Sequence, residues 1–141
     1  MSGTTLRPMN DPLLDHQTSP LDQAIGLTYV GRDGDAVLLR LDPMPAALGY
    51  VDPPMLHGGT IATLIDTAGW YAVMAERPAT WVAANLRCDF LRLADASPLR
   101  VRARCLRAGR LLAVCDVEIG PWDDPQRMTA VGRIQFARTG D

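Results

Sequence analysis

The stretch that decides the fold runs from residue 55 to residue 78 and reads MLHGGTIATLIDTAGWYAVMAERP. Its pattern predicts one long helix over about residues 59–76, and Pro78 follows where a proline commonly ends a helix. The helix is apolar on nearly every face, so most of its circumference needs to be covered by other elements. Asp66, in the middle of the helix, is the exception that needs an explanation.

The sequence on either side of this helix reads as strands. Residues 24–42 predict two strands around a turn at 32–35, and the proline-rich stretch 43–54 predicts a loop. Four more strand-like stretches follow the helix in close succession, which favours an antiparallel meander. We therefore predict an α+β fold, in which a curved antiparallel sheet of five to six strands wraps around one long central helix.

Composition places the chain among ordinary globular proteins. It has 141 residues, of which 48% are hydrophobic and 21% are charged. This length predicts a single domain over residues 21–141, preceded by a flexible segment, residues 1–20, in which residues 12–19 form a short helix. The net charge of -2 argues against a general attraction to nucleic acid or to an anionic membrane.

Cysteine and histidine usage argues against disulfide and metal frameworks. The three cysteines form no closely spaced pair, and the start of the chain lacks the features of a signal peptide, so we expect free thiols and a cytoplasmic protein. With only two histidines, no metal site is predicted. The longest apolar run, residues 61–75, is too short to span a bilayer and is interrupted by Asp66.

Asp66 lies on the only semi-polar stripe of the predicted helix. At 100° per residue this stripe contains Gly59, Thr60, Thr63, Asp66, Thr67 and Trp70. A carboxylate on a largely buried helix needs hydrogen bonds or a wet cleft. One interpretation is a structural residue that the threonine hydroxyls or a partner chain satisfy, and the other is a catalytic carboxylate that faces a pocket. The helix pattern alone leaves both open.

Gly58 and Gly59 begin the helix, where backbone N–H groups lack partners and attract negative charge. Such donors can form an oxyanion hole, although a Gly-Gly pair can also serve only as a turn. Asp66 lies seven residues beyond Gly59, or about 10 Å along the axis, too far for both to reach one reacting centre easily. Two antiparallel helices across a two-fold axis would bring the groups together. The catalytic interpretation therefore predicts a homodimer with two shared sites.

These residues resemble a known family. The stretch LHGGTIATLIDTAG, residues 56–69, resembles the HGGxxxxLxD signature of hotdog-fold acyl-CoA thioesterases, especially their PaaI-like, phenylacetate-pathway branch. Residues 86–94 and 107–119 are similar to later strands of that family, so the resemblance covers roughly residues 25–138. It implies a hotdog fold that dimerises and often pairs further into tetramers.

The resemblance also implies roles for the site residues. Asp66 matches the catalytic carboxylate, as general base or as nucleophile. Gly59, with Gly58 in second place, matches the backbone N–H that polarises the thioester carbonyl. His57 matches the histidine that positions the glycine turn or the carbonyl, although a single histidine before a helix is more commonly a hydrogen-bonded structural residue than an acid or base. No metal or redox cofactor is implied, and coenzyme A enters only as part of the substrate.

Two positions depart from the family pattern. Where many relatives carry Asn or Gln before the histidine, this chain has Val51 with Asp52 beside it. Where many carry Ser or Thr on the facing strand, it has Ala83, with Asn85 two residues further on. Asn85 or Asp52 could substitute for the missing groups, and otherwise the site is weakened.

Four residues complete the set of predicted substrate contacts. Thr63 and Trp70 share the stripe of Asp66, and Trp70 is the best candidate to line an acyl pocket, although aromatic residues near a helix are commonly plain core. Arg92 and Arg110 are candidates to bind the phosphates of coenzyme A. The alternative for these and the neighbouring arginines is a solvated strand face.

The sequence therefore predicts an acyl-CoA thioesterase that hydrolyses an aryl or medium-chain acyl-CoA to free acid and CoA. A non-catalytic acyl-CoA-binding or sensing module on the same fold is the alternative, favoured by the departures at Val51 and Ala83. A hotdog dehydratase ranks last, because its His and carboxylate pair would need a different spacing.

Overall fold

The computed structural model describes residues 11–16 and 19–140. Two short helices, a 3-10 turn at Pro12–Asp15 and α1 at Pro20–Ile25, precede the sheet. A second 3-10 turn, Pro45–Ala47, lies before the long helix. The other elements are β1 (Leu27–Asp33), β2 (Ala36–Leu41), β3 (Leu48–Val51), β4 (Pro54–Leu56), α2 (Gly58–Glu76), β5 (Trp81–Phe90), β6 (Leu99–Ala108), β7 (Leu112–Pro121) and β8 (Ala130–Arg138).

Six strands form one antiparallel sheet in the order β1-β2-β6-β7-β8-β5, and α2 packs against it. The α+β prediction and the hotdog fold are confirmed. The meander is correct for β6, β7 and β8 but wrong for β5, which pairs with β8 at the sheet edge and not with β6. The link over residues 91–98 makes this possible, because eight extended residues reach about 26 Å and three strand spacings are about 14 Å.

Small residues let α2 approach the sheet closely. A Cβ atom at Gly69 would lie 2.4 Å from Cγ2 of Ile134 on β8, and one at Gly132 would lie 2.3 Å from Cδ1 of Ile65. The inward positions of α2 are buried, as the pattern predicted, and include Ile61, Leu64, Ile65, Ala68 and Ala72. The sheet therefore covers this side of α2, and Asp66 lies outside the packed face and is exposed.

Substituting Gly69 tests this close approach. Gly69→Ala should lower the free energy of unfolding by about 1–3 kcal/mol, because overpacking against Ile134 outweighs the gain of up to about 1 kcal/mol in helix propensity. Urea unfolding measures the change. The double variant Gly69→Ala/Ile134→Ala should lose less than the sum of the two single losses. Additive losses would show that the two side chains do not compete for the same space.

The segments before α2 contain more structure than predicted. Of the helix expected over residues 12–19, the structure shows the turn Pro12–Asp15, and residues 17 and 18 lie outside the described part, as do residues 1–10. The helix α1 was not predicted. The loop expected over residues 43–54 contains β3, which pairs with β4 as a small hairpin. Its prolines do not prevent this pairing, because they lie in the flanks and the turn and at the first position of β4.

Among residues 11–16 and 19–140, no helix is both long enough and apolar enough to cross a membrane.

Candidate active site

The side chain of His57 caps the start of α2. Its Nδ1 atom accepts a hydrogen bond from the backbone N–H of Gly59 at 2.8 Å. The carbonyl of Ala47 accepts from the His57 N–H at 2.9 Å and from the buried Thr60 hydroxyl at 2.8 Å, which ties the helix start to the preceding turn. Because Nδ1 is an acceptor here, the neutral imidazole carries its proton on Nε2.

This cap changes which glycine can serve as a donor. The N–H of Gly59 is engaged by His57, whereas the N–H of Gly58 has no hydrogen-bond partner within the described part of the chain. Gly58 is exposed, and the side chain nearest to its open side is Phe90, 3.5 Å from where a Cβ atom would lie. The geometry therefore favours Gly58 over Gly59, the reverse of the order that the sequence suggested.

Asp66 is exposed on the outer stripe of α2 and lacks the hydrogen bonds that a structural role would require. The Thr63 hydroxyl donates to the Gly59 carbonyl at 2.9 Å, and the Thr67 hydroxyl donates to Oδ1 of Asp22 at 2.7 Å. Neither hydroxyl bonds Asp66, and no other residue that the structure describes does so. Of the two interpretations left open by the sequence, satisfaction by the neighbouring threonines is therefore not found within one protomer.

Asp66 borders a cavity of about 370 Å³ between α2 and the start of β5. The cavity is also lined by Asp22 of α1, by Trp70 of α2, and by Val82 and Ala83 of β5. A wall of mixed polar and apolar side chains, on which Asp66 is hydrogen-bonded to no described residue, is the kind of surface that can hold an acyl group next to a base.

The strand that faces Asp66 contributes no hydroxyl to this cavity. Ala83 lines the same cavity as Asp66, but Asn85 is not among the lining residues. A register shift between Ala83 and Asn85 marks a β-bulge, which breaks the alternation that would otherwise put both on one face. Asn85 of the same protomer therefore does not replace the missing group.

The electrostatics of the cavity favour a basic carboxylate. Partial burial raises the pKa of Asp66 above its ordinary value, and the negative charge of Asp22 raises it further. Sequence reasoning missed Asp22. The signal that could have found it is Ser19-Pro20-Leu21-Asp22, in which a serine N-cap, a proline at the first helical position and an acid at the third predict a helix start.

Trp70 lies on the Asp66 cavity, and aromatic neighbours hold it in place. Its ring centroid is 4.6 Å from that of His16 and 5.2 Å from that of Tyr71. Thr63, by contrast, is not among the residues that line this cavity. The structure thus places Trp70, but not Thr63, on the cavity that Asp66 lines.

Comparison with known proteins agrees with this geometry. A family model described as "Thioesterase superfamily" matches residues 54–128, which is more than half of the chain. This chain belongs to the thioesterase superfamily. The matched region begins at β4 and includes the whole of α2, so it contains His57, both glycines and Asp66.

Solved structures of other superfamily members share the fold. The Escherichia coli PaaI protein from the phenylacetic acid degradation operon is 25% identical, with 86% of each chain covered and a TM-score of 0.72. Zebra fish thioesterase superfamily member 2 is 23% identical, with 86% of this chain and 88% of that chain covered and a TM-score of 0.74. The expected resemblance to the PaaI-like branch is thus confirmed at the level of fold and family.

One curated relative is more similar in sequence over a shorter region. A protein of Saccharolobus solfataricus named "Putative esterase" is 34% identical over 64 residues. The match covers 45% of this chain and 43% of that protein. This chain therefore spans less than half of that relative's length, and the match supports family membership without assigning a substrate.

Arg92 and Arg110, the two residues predicted to bind the phosphates of coenzyme A, lie near opposite ends of α2. Phe90, two residues before Arg92, is next to Gly58 at the helix start. Arg77, the residue directly after α2, donates a hydrogen bond to the carbonyl of Ala108 at 3.3 Å, beside the turn that holds Arg110. A helix of 19 residues is about 28 Å long, so Arg92 and Arg110 of one protomer do not meet.

Other arginines of the sheet form ion pairs with aspartates. Arg100 and Arg102 each approach Oδ2 of Asp33 at 3.1 Å, and Arg133 approaches Asp116 at 2.7 Å. Within residues 11–16 and 19–140, no three His, Cys, Asp or Glu side chains come together as a metal-ligand group.

The departure from the family pattern at Val51 lies away from the Asp66 cavity. Val51 ends β3 at the tip of the small hairpin and is 80% exposed, and Asp52 in the adjoining turn is also exposed. Neither residue lines the cavity in the protomer. Asp52 therefore does not reach Asp66 within one chain.

Proposed function

We propose that this member of the thioesterase superfamily is an acyl-CoA thioesterase, which hydrolyses an aryl or medium-chain acyl-CoA to a free acid and CoA. The observation that carries the proposal is the carboxylate of Asp66 on a cavity wall, to which no described residue donates a hydrogen bond. It lies on the same helix whose first N–H, that of Gly58, has no partner among the described residues. A base and an oxyanion donor are the two groups that thioester hydrolysis requires.

The proposed reaction uses these groups in sequence. Asp66 takes a proton from a water molecule, and the water oxygen attacks the thioester carbonyl carbon. The Gly58 N–H and the positive end of α2 stabilise the developing oxyanion. The tetrahedral intermediate then collapses, the carbon–sulfur bond breaks, and CoA leaves as its thiolate, which takes the proton from Asp66 and so restores the base. The raised pKa of Asp66 supports the role of base, because a more basic carboxylate accepts a proton more readily.

The two groups meet only if two protomers share each site. Gly58 and Asp66 are eight residues apart in α2, or about 12 Å along its axis. The surface around them favours a homodimer, because β5 is an edge strand whose residues 82–87 are all exposed and include Val82 and Leu86. Unpaired apolar edge strands of this kind are normally covered. A dimer of dimers is compatible with this proposal.

Mixing two inactive variants tests the shared site. Asp66→Asn and Gly58→Pro should each be nearly inactive, whereas their co-expression should restore about a quarter of wild-type turnover. Random pairing makes half of the dimers mixed, and each mixed dimer has one intact site of two. Thiol release from acyl-CoA measures the recovery. A mixture no more active than its components, despite proven subunit exchange, would contradict a site built from two protomers.

The choice of substrate and the role of Arg92 can be tested in the same assay. Thiol release over aryl, short, medium and long acyl-CoAs should be fastest for aryl or medium chains. Arg92 lies near the helix start, is exposed and donates to the carbonyl of Met128 at 2.8 Å. Arg92 is therefore a better candidate than Arg110 to contact the CoA phosphates of a thioester held at Gly58.

A non-catalytic acyl-CoA-binding module is the second candidate function. Ala83 favours it, because this residue lines the cavity with Asp66 and offers no hydroxyl to position water. Calorimetry with acyl-CoA combined with the thiol-release assay separates the two functions. Thiol release that depends on Asp66 supports the enzyme, and tight binding without release supports the binding module.

A further inference from the structure

Asp22 is a second carboxylate on the Asp66 cavity, and the mechanism above does not use it. It belongs to α1, which packs on α2, and only 5% of its surface is exposed. The Ser19 hydroxyl donates to Oδ2 at 2.8 Å, and the Thr67 hydroxyl donates to Oδ1 at 2.7 Å. Each carboxyl oxygen of Asp22 therefore accepts a hydrogen bond from a hydroxyl group. Asp66, beside Thr67 in sequence, is hydrogen-bonded to no described residue.

We infer that Asp22 is a positioning residue for Asp66: it engages the Thr67 hydroxyl and places a buried negative charge on the shared cavity. This engagement keeps the Thr67 hydroxyl from donating to Asp66, a hydrogen bond that would lower the basicity of the Asp66 carboxylate. The charge disfavours a second negative charge nearby, so protonation of Asp66 becomes easier. This inference rests on the proposed function and names a further residue of the same site.

The other titratable groups around Asp66 do not produce this effect. From the described elements, the cavity also receives His16, which follows the first 3-10 turn, and Tyr71 of α2, whereas β5 and β8 contribute Trp81, Val82, Ala83 and Phe136. The Tyr71 hydroxyl is buried without a partner among the described residues, and burial and Asp22 raise its pKa to about 12. Tyr71 is therefore neutral at ordinary pH, and Asp22 is the charge that acts on Asp66.

The test is the pH profile of Asp22→Asn, with kcat/KM for an acyl-CoA measured by thiol release. In the wild type, kcat/KM falls as the pH drops through the pKa of Asp66. Without the charge at Asp22, Asp66 should protonate at lower pH, so the acidic limb should move to lower pH. The plateau should fall by less than about tenfold, because the base itself remains in place. An acidic limb of Asp22→Asn at the same pH as in the wild type would overturn the inference.

Asp11→Asn is the matched control. Asp11 is also 5% exposed and lies in the same N-terminal region, where it accepts a hydrogen bond from the Tyr29 hydroxyl. It does not line the Asp66 cavity. The control should lower the melting temperature without moving the acidic limb. An equal movement of the limb in both variants would indicate a general effect of a disturbed N-terminal region and would overturn a specific role for Asp22.

A direct titration of the wild-type protein keeps the inference testable if Asp22→Asn does not fold. Carboxyl ¹³C NMR should show Asp66 titrating above the ordinary aspartate value of about 3.9. A pKa of Asp66 at or below that value would overturn the inference. The two failures are distinguishable, because a wild type without thiol release removes the proposed function but leaves the NMR result intact. If the wild type releases thiol but Asp22→Asn leaves the acidic limb of kcat/KM at the same pH, only this inference is removed.

Discussion

Replacing Asp66 with Asn should lower kcat by about 10²–10⁴-fold, the contribution usual for a general base. The change removes one charge and almost no volume, and Asp66 makes no hydrogen bond to a described residue whose loss could disturb the fold. Steady-state thiol release measures the rate. Circular dichroism and size-exclusion chromatography should show an unchanged fold and assembly.

The role of Asp66 also predicts the direction in which kcat/KM of the wild type changes with pH. Burial and the charge of Asp22 raise the pKa of Asp66, so the acidic loss of kcat/KM should be centred above the ordinary aspartate value of about 3.9. Activity should be full above that pKa and should be lost as the pH falls through it. In Asp66→Asn this limb should disappear from the residual activity.

Asp123→Asn is a suitable control for Asp66→Asn, because it makes the same chemical change at an exposed carboxylate in the link between β7 and β8. It should leave kcat within about twofold of the wild type, as expected of a surface change away from the site. A kcat near the wild-type value in Asp66→Asn would remove Asp66 from the mechanism. The superfamily membership and the fold would stand, and the binding module would become the better proposal.

Local signals explain why α2 could be predicted from the sequence. The helix expected over residues 59–76 is observed over Gly58–Glu76. The glycine pair that opens it and Pro78 after it are start and stop signals that act within a few residues. The place of β5 at the sheet edge was not predictable in this way. β5 pairs with β8, which lies about 50 residues further along the chain. The short links between successive strands did not predict this pairing.

In the candidate site, too, local features could be predicted from the sequence and long-range contacts could not. The stripe with Asp66 and Trp70 follows from helical periodicity, and the structure places both on one cavity. Asp22 could not be assigned to that cavity, because its contact with Thr67 spans 45 residues of sequence. The preference for Gly58 over Gly59 depends on the orientation of the His57 ring, which periodicity and spacing do not determine.

Replacing Gly58 with Pro should lower kcat by about 10²–10³-fold, the usual loss for one oxyanion donor. Proline removes the backbone N–H while leaving the helix start intact, because Gly58 is the first helical residue, a position that proline favours. The preceding residue, His57, already has the extended backbone that proline requires, with φ of -69° and ψ of 139°. Thiol release measures kcat, and calorimetry with acyl-CoA measures whether binding survives.

Gly58→Ala separates the missing donor from the added side chain. It keeps the N–H, and its Cβ atom would lie 3.5 Å from the Phe90 ring, an ordinary contact. This variant should retain most of the wild-type kcat, whereas Gly58→Pro should not. Equal losses in both variants would mean that bulk beside Phe90, and not the missing N–H, causes the effect. The donor would then have to be Gly59, and His57 would have to release the Gly59 N–H before the thioester carbonyl could accept it.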